Sequence, residues 1–176
     1  MGLLTGWRAC PRCGERLAGD ERSMSCAACG SRYYAHSAPA ASAIVVDDDG
    51  RVLLARRAHE PDAGKWDTPG GFLEEGEHPC EAIRRELLEE TGLEVEPRSF
   101  LGAYVDTYGQ EPEAGTVLNL VWDAKVVRGQ MAPADDVSEL RWFAPDELPA
   151  DEKDYAFRWV APFMRSWAES RRHAGG

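Results

Sequence analysis

Trp66-Asp67-Thr68-Pro69-Gly70-Gly71-Phe72-Leu73-Glu74-Glu75-Gly76-Glu77 runs directly into His78-Pro79-Cys80-Glu81-Ala82-Ile83-Arg84-Arg85-Glu86-Leu87-Leu88-Glu89-Glu90-Thr91-Gly92-Leu93. The second part predicts a helix over 79–91: Pro79 suits the first helical position and Gly92 the position just past the end. At about 100° per residue, Cys80, Ile83 and Leu87 fall on one stripe that faces a core. Cys80 is read there as a small apolar residue rather than a nucleophile. Glu86, Glu89 and Glu90 sit at i, i+3 and i+4 and share the neighbouring face, with Glu90 nearest the apolar stripe and least solvated. Three carboxylates on one face repel each other. Arg85 could pair with Glu89 at i+4 and leave the rest as a solvated acidic surface, and on the helix alone the two readings balance. The preceding segment tips them. It is a glycine- and acid-rich loop whose adjacent glycines let backbone groups approach a ligand closely. A carboxylate cluster beside such a loop suits hard divalent cations held by oxygen.

Outward from this unit, Ala43–Val46 and Arg51–Ala55 read as strands around the turn Asp47-Asp48-Asp49-Gly50. Residues 99–108 and 116–127 predict another strand pair joined through 109–115, and 139–143 a further short strand. Tyr155, Phe157, Val160, Phe163, Met164 and Trp167 predict a helix over 154–171, kinked at Pro162 unless it starts there. Residues 31–40 read as a linker.

Four of the five cysteines form two arms, Cys10-Pro11-Arg12-Cys13-Gly14 and Cys26-Ala27-Ala28-Cys29-Gly30. Each arm turns two thiolates toward one ion, and two arms complete a closed tetrahedral site for structural Zn²⁺. The alternative, two disulfides, is disfavoured in a cytoplasmic chain. The expected division is a zinc ribbon over 1–36 and a second domain over 37–176.

The chain has 176 residues, 43% hydrophobic and 29% charged, as expected for a globular protein. No apolar run approaches the ~20 residues that span a bilayer, and Met1–Arg8 is too short an apolar stretch for a signal peptide. The expected location is the cytoplasm, with no membrane partner. The net charge is −11 and the sequence pI about 4.8, which argues against general binding to nucleic acid. Residues 1–40 carry five Arg and three acids, and the rest 15 basic and 28 acidic residues. An acidic body that handles phosphates needs metal ions between itself and its substrate. A homodimer stays open.

Gly71, five residues, Glu77, seven residues, then Arg85-Glu86-Leu87-Leu88-Glu89-Glu90-Thr91-Gly92-Leu93 resembles the Nudix box at every defined position. Arg56-Arg57, Gly64-Lys65-Trp66 and Pro69-Gly70-Gly71-Phe72 resemble its usual lead-in, and Arg141-Trp142-Phe143 with Asp146–Pro149 its downstream strand and turn. The resemblance implies an α/β fold, an α/β/α sandwich with a mixed sheet, here preceded by the small ribbon. It implies a Mg²⁺- or Mn²⁺-dependent pyrophosphohydrolase acting on a small nucleoside diphosphate linked to another moiety: ADP-ribose, a dinucleoside polyphosphate or an NADH-like substrate. Carried over by position, Glu86, Glu89 and Glu90 are metal ligands joined by the Gly70 or Gly71 carbonyl. Arg85 braces the helix–loop unit through Glu77. One of Asp135, Asp136 and Glu139 supplies a further acid. His78 stands where Ser, Thr or Asp often caps the helix, so a weaker cap is expected. A ribbon before such a domain also resembles NADH pyrophosphatases, whose Ser-Gln-Pro-Trp-type signature after the box is missing here. The alternative is a sensor that binds ADP-ribose-type ligands without turnover. Such a module is expected to lose box glutamates, and all are present.

For substrate contacts, Tyr104 and Tyr108 share one face of a strand. Tyr108 lies near where members acting on dinucleoside polyphosphates often carry a Tyr, whereas ADP-ribose-type members often carry a Pro; the nearest here is Pro112. Tyr108 is read as stacking on a base or as a half-buried sheet residue, with Trp66, Phe72 and Trp122 as further candidates.

Overall fold

The computed structural model describes residues 3–109 and 114–174. The connection at 110–113, with Pro112, lies outside them. Strands β1 (Leu17–Gly19), β2 (Ser23–Cys26) and β3 (Arg32–Tyr34) form a small antiparallel sheet that carries the cysteine arms. The body follows as β4 (Ala38–Val45), β5 (Val52–Arg57), β6 (Trp66–Asp67), β7 (Gly70–Phe72), α1 (Pro79–Thr91), β8 (Leu93–Tyr108), β9 (Gly115–Gly129), β10 (Val137–Phe143) and α2 (Val160–Ala174). Its sheets have the orders β7-β4-β9-β8 and β10-β5-β6. The first is mixed: β4 runs parallel to β9, while β7 and β8 are antiparallel to their neighbours.

Helix α1 covers one side of this layer. Ala82, Ile83 and Leu87 pack with Ala41, Ala43 and Val45 of β4 and Leu53 of β5. Helix α2 covers the other. Val160 and Met164 pack with Ile44 of β4, Val52 and Leu54 of β5 and Val121 of β9. Successive strand residues point to opposite faces, so β4 and β5 feed both cores and read as nearly unbroken apolar runs. The architecture is the expected α/β/α sandwich. A bridge between Val46 and Val52 closes the β4–β5 hairpin. Beyond it the two strands belong to different sheets. No helix among the described residues is long and apolar enough to cross a membrane.

Several expectations are corrected. The loop over 66–77 contains strands β6 and β7, which pair with β5 and β4. The linker shortens to 35–37, because β3 and β4 occupy its ends. Helix α2 begins at Val160, leaving Tyr155 and Phe157 outside it and Pro162 harmlessly in its first turn. Strand β8 starts immediately after α1, at Leu93. The α1 cap is complete rather than weak. His78 Nδ1 accepts from the Cys80 N–H at 3.2 Å, and the Glu81 carboxylate accepts from the His78 N–H at 3.2 Å. This is a capping box with imidazole in place of hydroxyl. Cys80 is half-buried at the edge of the stripe, while Ile83 and Leu87 are fully enclosed.

Candidate active site

Arg85 spends its planar fork on one side of α1. Its Nε and Nη2 donate to the two Glu77 carboxylate oxygens at 2.9 and 2.8 Å. Nη1 donates to Glu86 at 2.7 Å and to Glu89 at 3.3 Å, and Nη2 also reaches the Phe72 carbonyl at 3.1 Å. The guanidinium, with the Glu74 N–H behind it, pulls the Glu77 carboxyl down to about 2, and Glu77 in turn raises Arg85. The loop, the strand β7 and the helix are thereby locked as one unit.

Glu90 is buried, 6% exposed, and accepts the Gly70 N–H at 2.8 Å. Burial raises its carboxyl well above the usual range against that hydrogen bond, and Asp136, Glu86 and Asp67 add like charge. Glu86 is also raised, by burial first, with Arg85 opposing. Glu89 is half-exposed. A Cβ on Gly71 would sit 2.5 Å from the Glu86 carboxylate, so any side chain there would push that carboxylate aside.

The structure separates the three downstream acids. The 131–136 segment is sewn to the end of α1: the Ala132 and Ala134 N–H groups donate to the Thr91 and Glu90 carbonyls at 2.9 and 3.0 Å. These are carbonyls the helix itself leaves open. Asp136 is thereby delivered to the cleft beside Glu90. Asp135 is exposed. Glu139 pairs with Arg56 on the surface at 3.1 Å.

A cleft opens between the diverging sheets, beside Gly70 and Gly71. Phe72, Tyr108 and Phe157 supply aromatic walls. Tyr108 meets Phe72 edge-on at 5.1 Å and lies 6.3 Å from Phe157. Tyr104 instead stacks on Trp159 at 4.7 Å. Trp66 packs edge-on against Phe143 at 4.9 Å, and Trp122 lies tilted against Phe100 at 4.8 Å; neither is among the residues lining the cleft.

Sequence reasoning missed Arg57, Asp67, Asn119 and Trp159, which all line the cleft. Burial pushes Asp67 up to about 7, with Arg57, 3.9 Å away, opposing. Arg57 also lies 5.7 Å from the Tyr108 ring centre. The available signal was polarity inside apolar strands, as in Leu118-Asn119-Leu120.

At the other end of the chain, the sulfurs of Cys10, Cys13, Cys26 and Cys29 lie within 4.8 Å of one another. The pairs Cys10–Cys29 and Cys13–Cys26 are at 3.7 and 3.5 Å. A tetrahedral zinc with ~2.3 Å bonds to sulfur has edges of ~3.8 Å, whereas a disulfide needs ~2 Å. Both arms make the same turn: Gly14 and Gly30 donate to the Cys10 and Cys26 carbonyls at 2.8 and 2.9 Å.

The model of the NUDIX domain family matches residues 36–165. An ADP-ribose pyrophosphatase of Methanocaldococcus jannaschii is 37% identical over 134 residues, 76% of this chain and 77% of that protein. An NAD-capped RNA hydrolase NudC of Stutzerimonas stutzeri is 30% identical over 146 residues, 81% of this chain but 50% of that one; the chain spans about half the length of such relatives. The crystal structure of a NUDIX hydrolase from Nitrosomonas europaea superposes with a TM-score of 0.76 at 29% identity, covering 95% of this chain and 93% of that one.

Proposed function

This chain belongs to the NUDIX family of hydrolases, and from that premise we propose that it cleaves the diphosphate of a nucleoside diphosphate linked to a second moiety, using a divalent cation. The observation that carries this reading is the acid set Glu86, Glu89 and Glu90 on one helix, with Asp136 of the 131–136 segment beside Glu90 at the cleft. The donors are all hard oxygens, as Mg²⁺ or Mn²⁺ requires. Burial raises both half-buried Glu86 and buried Glu90, and like charges around them add to it; a dication is the counter-charge this cluster fits. Glu86, Glu89 and Glu90, with the Gly70 or Gly71 carbonyl, would hold it. When bound, such an ion neutralises the diphosphate and lowers the pKa of water.

The chain's own groups do the rest. Arg85 and Glu77 fix the loop against the helix. Arg57 offers the cleft a cation for a phosphate oxygen. Asp136 takes the proton as water attacks phosphorus. Products are a nucleoside monophosphate and a second phosphorylated fragment. The N-terminal ribbon holds one structural Zn²⁺ on its four thiolates, and the hydrolase domain follows from residue 37. The net charge of −11 favours small nucleotides over RNA as substrates.

The test is turnover of ADP-ribose, dinucleoside polyphosphates and NADH with Mg²⁺ or Mn²⁺, read as phosphate after phosphatase coupling. Hydrolysis that a chelator abolishes and Mg²⁺ restores is expected. No turnover of any of them with either metal would overturn the proposal.

Two outcomes follow. Arg85→Lys keeps the charge but loses the fork that reaches Glu77, Glu86 and Phe72. Activity or Mg²⁺ affinity should fall roughly 10–100-fold, read by titrating turnover with Mg²⁺. Tyr108→Ala should raise the Michaelis constant by several-fold to about tenfold, and Tyr108→Phe should barely change it. If both tyrosine variants match wild type, Tyr108 is a wall residue only.

A further inference from the structure

Four buried side-chain polar atoms have no hydrogen-bond partner among the described residues: Ser42 Oγ, Thr68 Oγ1, Asn119 Nδ2 and Trp159 Nε1. All four residues are at least nine-tenths buried, and all four line the same cleft. Buried polar groups in native proteins are normally satisfied, so four orphans converging on one recess mark a site built for a ligand's hydrogen bonds.

They are neighbours by construction. Asn119 stands opposite Ala40 in the β4–β9 pairing, one diagonal from Ser42. Ser42 faces Gly70, two residues after Thr68. Tyr104 lies across the ladder from Asn119 and stacks on Trp159. Trp159 is held in place by its neighbour. Asp106, itself buried, accepts from Arg158 N and Nε at 2.8 and 2.9 Å.

The chemistry of the four is uneven. Asn119 Nδ2 and Trp159 Nε1 can only donate, and the two hydroxyls donate or accept. The carboxylates of the cleft, Asp67 and Asp136, lie toward Glu90, whose carboxyl they help to raise. The recess therefore favours a group that presents acceptors. The near-parallel rings of Tyr108 and Phe157, 23° from coplanar, favour a flat one. Resting on the hydrolase reading above, we propose that this recess reads the substrate's base and prefers oxo bases, guanine above all, over amino bases. Guanine shows two adjacent acceptors on one edge, N7 and O6, where adenine shows an acceptor beside a donor. The four atoms are closed to water in this structure, so a base reaches them only when the recess opens.

The experiment holds the rest of the substrate constant: GDP-, UDP-, ADP- and CDP-glucose with Mg²⁺, compared by kcat/KM, and GMP against AMP by metal-free calorimetry. GDP-glucose is expected to exceed ADP-glucose roughly 10- to 100-fold, with UDP- above CDP-glucose and GMP binding tighter than AMP. Asn119→Leu and Trp159→Phe should each collapse the ratio while thermal melting shows a folded protein; Trp159→Phe keeps the stacked ring and loses only the N–H. Equal kcat/KM for all four bases, or ratios untouched by both variants, would overturn the inference and leave the hydrolase reading standing. If none is hydrolysed, the hydrolase reading is what suffers for this substrate class. The GMP-to-AMP comparison still decides the recess, and equal or undetectable binding of both refutes it.

Discussion

Glu90→Gln should lower turnover by roughly 10²–10⁴ at saturating Mg²⁺ while leaving the folded protein at least as stable as wild type without metal. The rate follows from losing a charged ligand, which costs several kcal/mol of transition-state stabilisation. The stability follows from geometry. The amide oxygen of Gln still accepts the Gly70 N–H, and the substitution removes a buried charge set among Asp136, Glu86 and Asp67. The sign is fixed by the raised carboxyl: above the carboxyl's ordinary range Glu90 costs the folded state free energy that the unfolded chain does not bear, and Gln removes that cost. Glu89→Gln should lose rate in the same range without that gain, since Glu89 is half-exposed and paired with Arg85. Glu75→Gln, on the exposed loop, is the control and should change little. Steady-state kinetics and metal-free melting check the pair. A Glu90→Gln enzyme within threefold of wild type would remove Glu90 from the ligand set.

The second large effect is at the ribbon. Cys13→Ser should reduce bound zinc from about one per chain to near zero and unfold the N-terminal sheet. Among the described residues its core cluster buries Cys10, Leu17 and Cys26, with Trp7, Met24, Cys29 and Tyr33 partly covered. So small a core cannot offset the entropy of ordering the strands. Structural zinc contributes roughly 10–16 kcal/mol in peptide systems, which is the missing stabilisation. Elemental analysis and limited proteolysis of the first 36 residues check it, and the box helix should keep its protection. Zinc-free wild-type protein with an intact ribbon would contradict the assignment.

What could be read directly from the chain was local. The bounds of α1, its buried stripe and the low exposure of Glu90 follow from spacing within thirteen residues. The arms of cysteine are likewise self-contained. What escaped was assembled at a distance. Strands β6 and β7 are two and three residues long, too short for any periodicity, and exist because β5 and β4 offer edges to pair with. The stripe over 155–167 reads as helical because Tyr155 and Phe157 belong with the same core as α2, although an irregular segment carries them there. The cap is stronger than the residue type suggests because the imidazole nitrogen of His78 accepts as a hydroxyl does. Asp136 was indistinguishable from Asp135 and Glu139 until the hydrogen bonds to the end of α1 set its direction. The cleft draws on β4, β5, β6, β9 and the segment before α2, and no window of sequence contains them together.

The division of the body into two cores has an evolutionary consequence. The box helix is seated in the core on one side of the sheets, and Tyr104 and Trp159 belong to the core on the other. Changes at sites well apart and without shared partners add nearly independently. Substitutions at 104, 157 or 159 can then reshape one wall of the cleft without repacking the core that seats the box helix. Lineages of this architecture can diversify in diet while inheriting the same hydrolytic machinery.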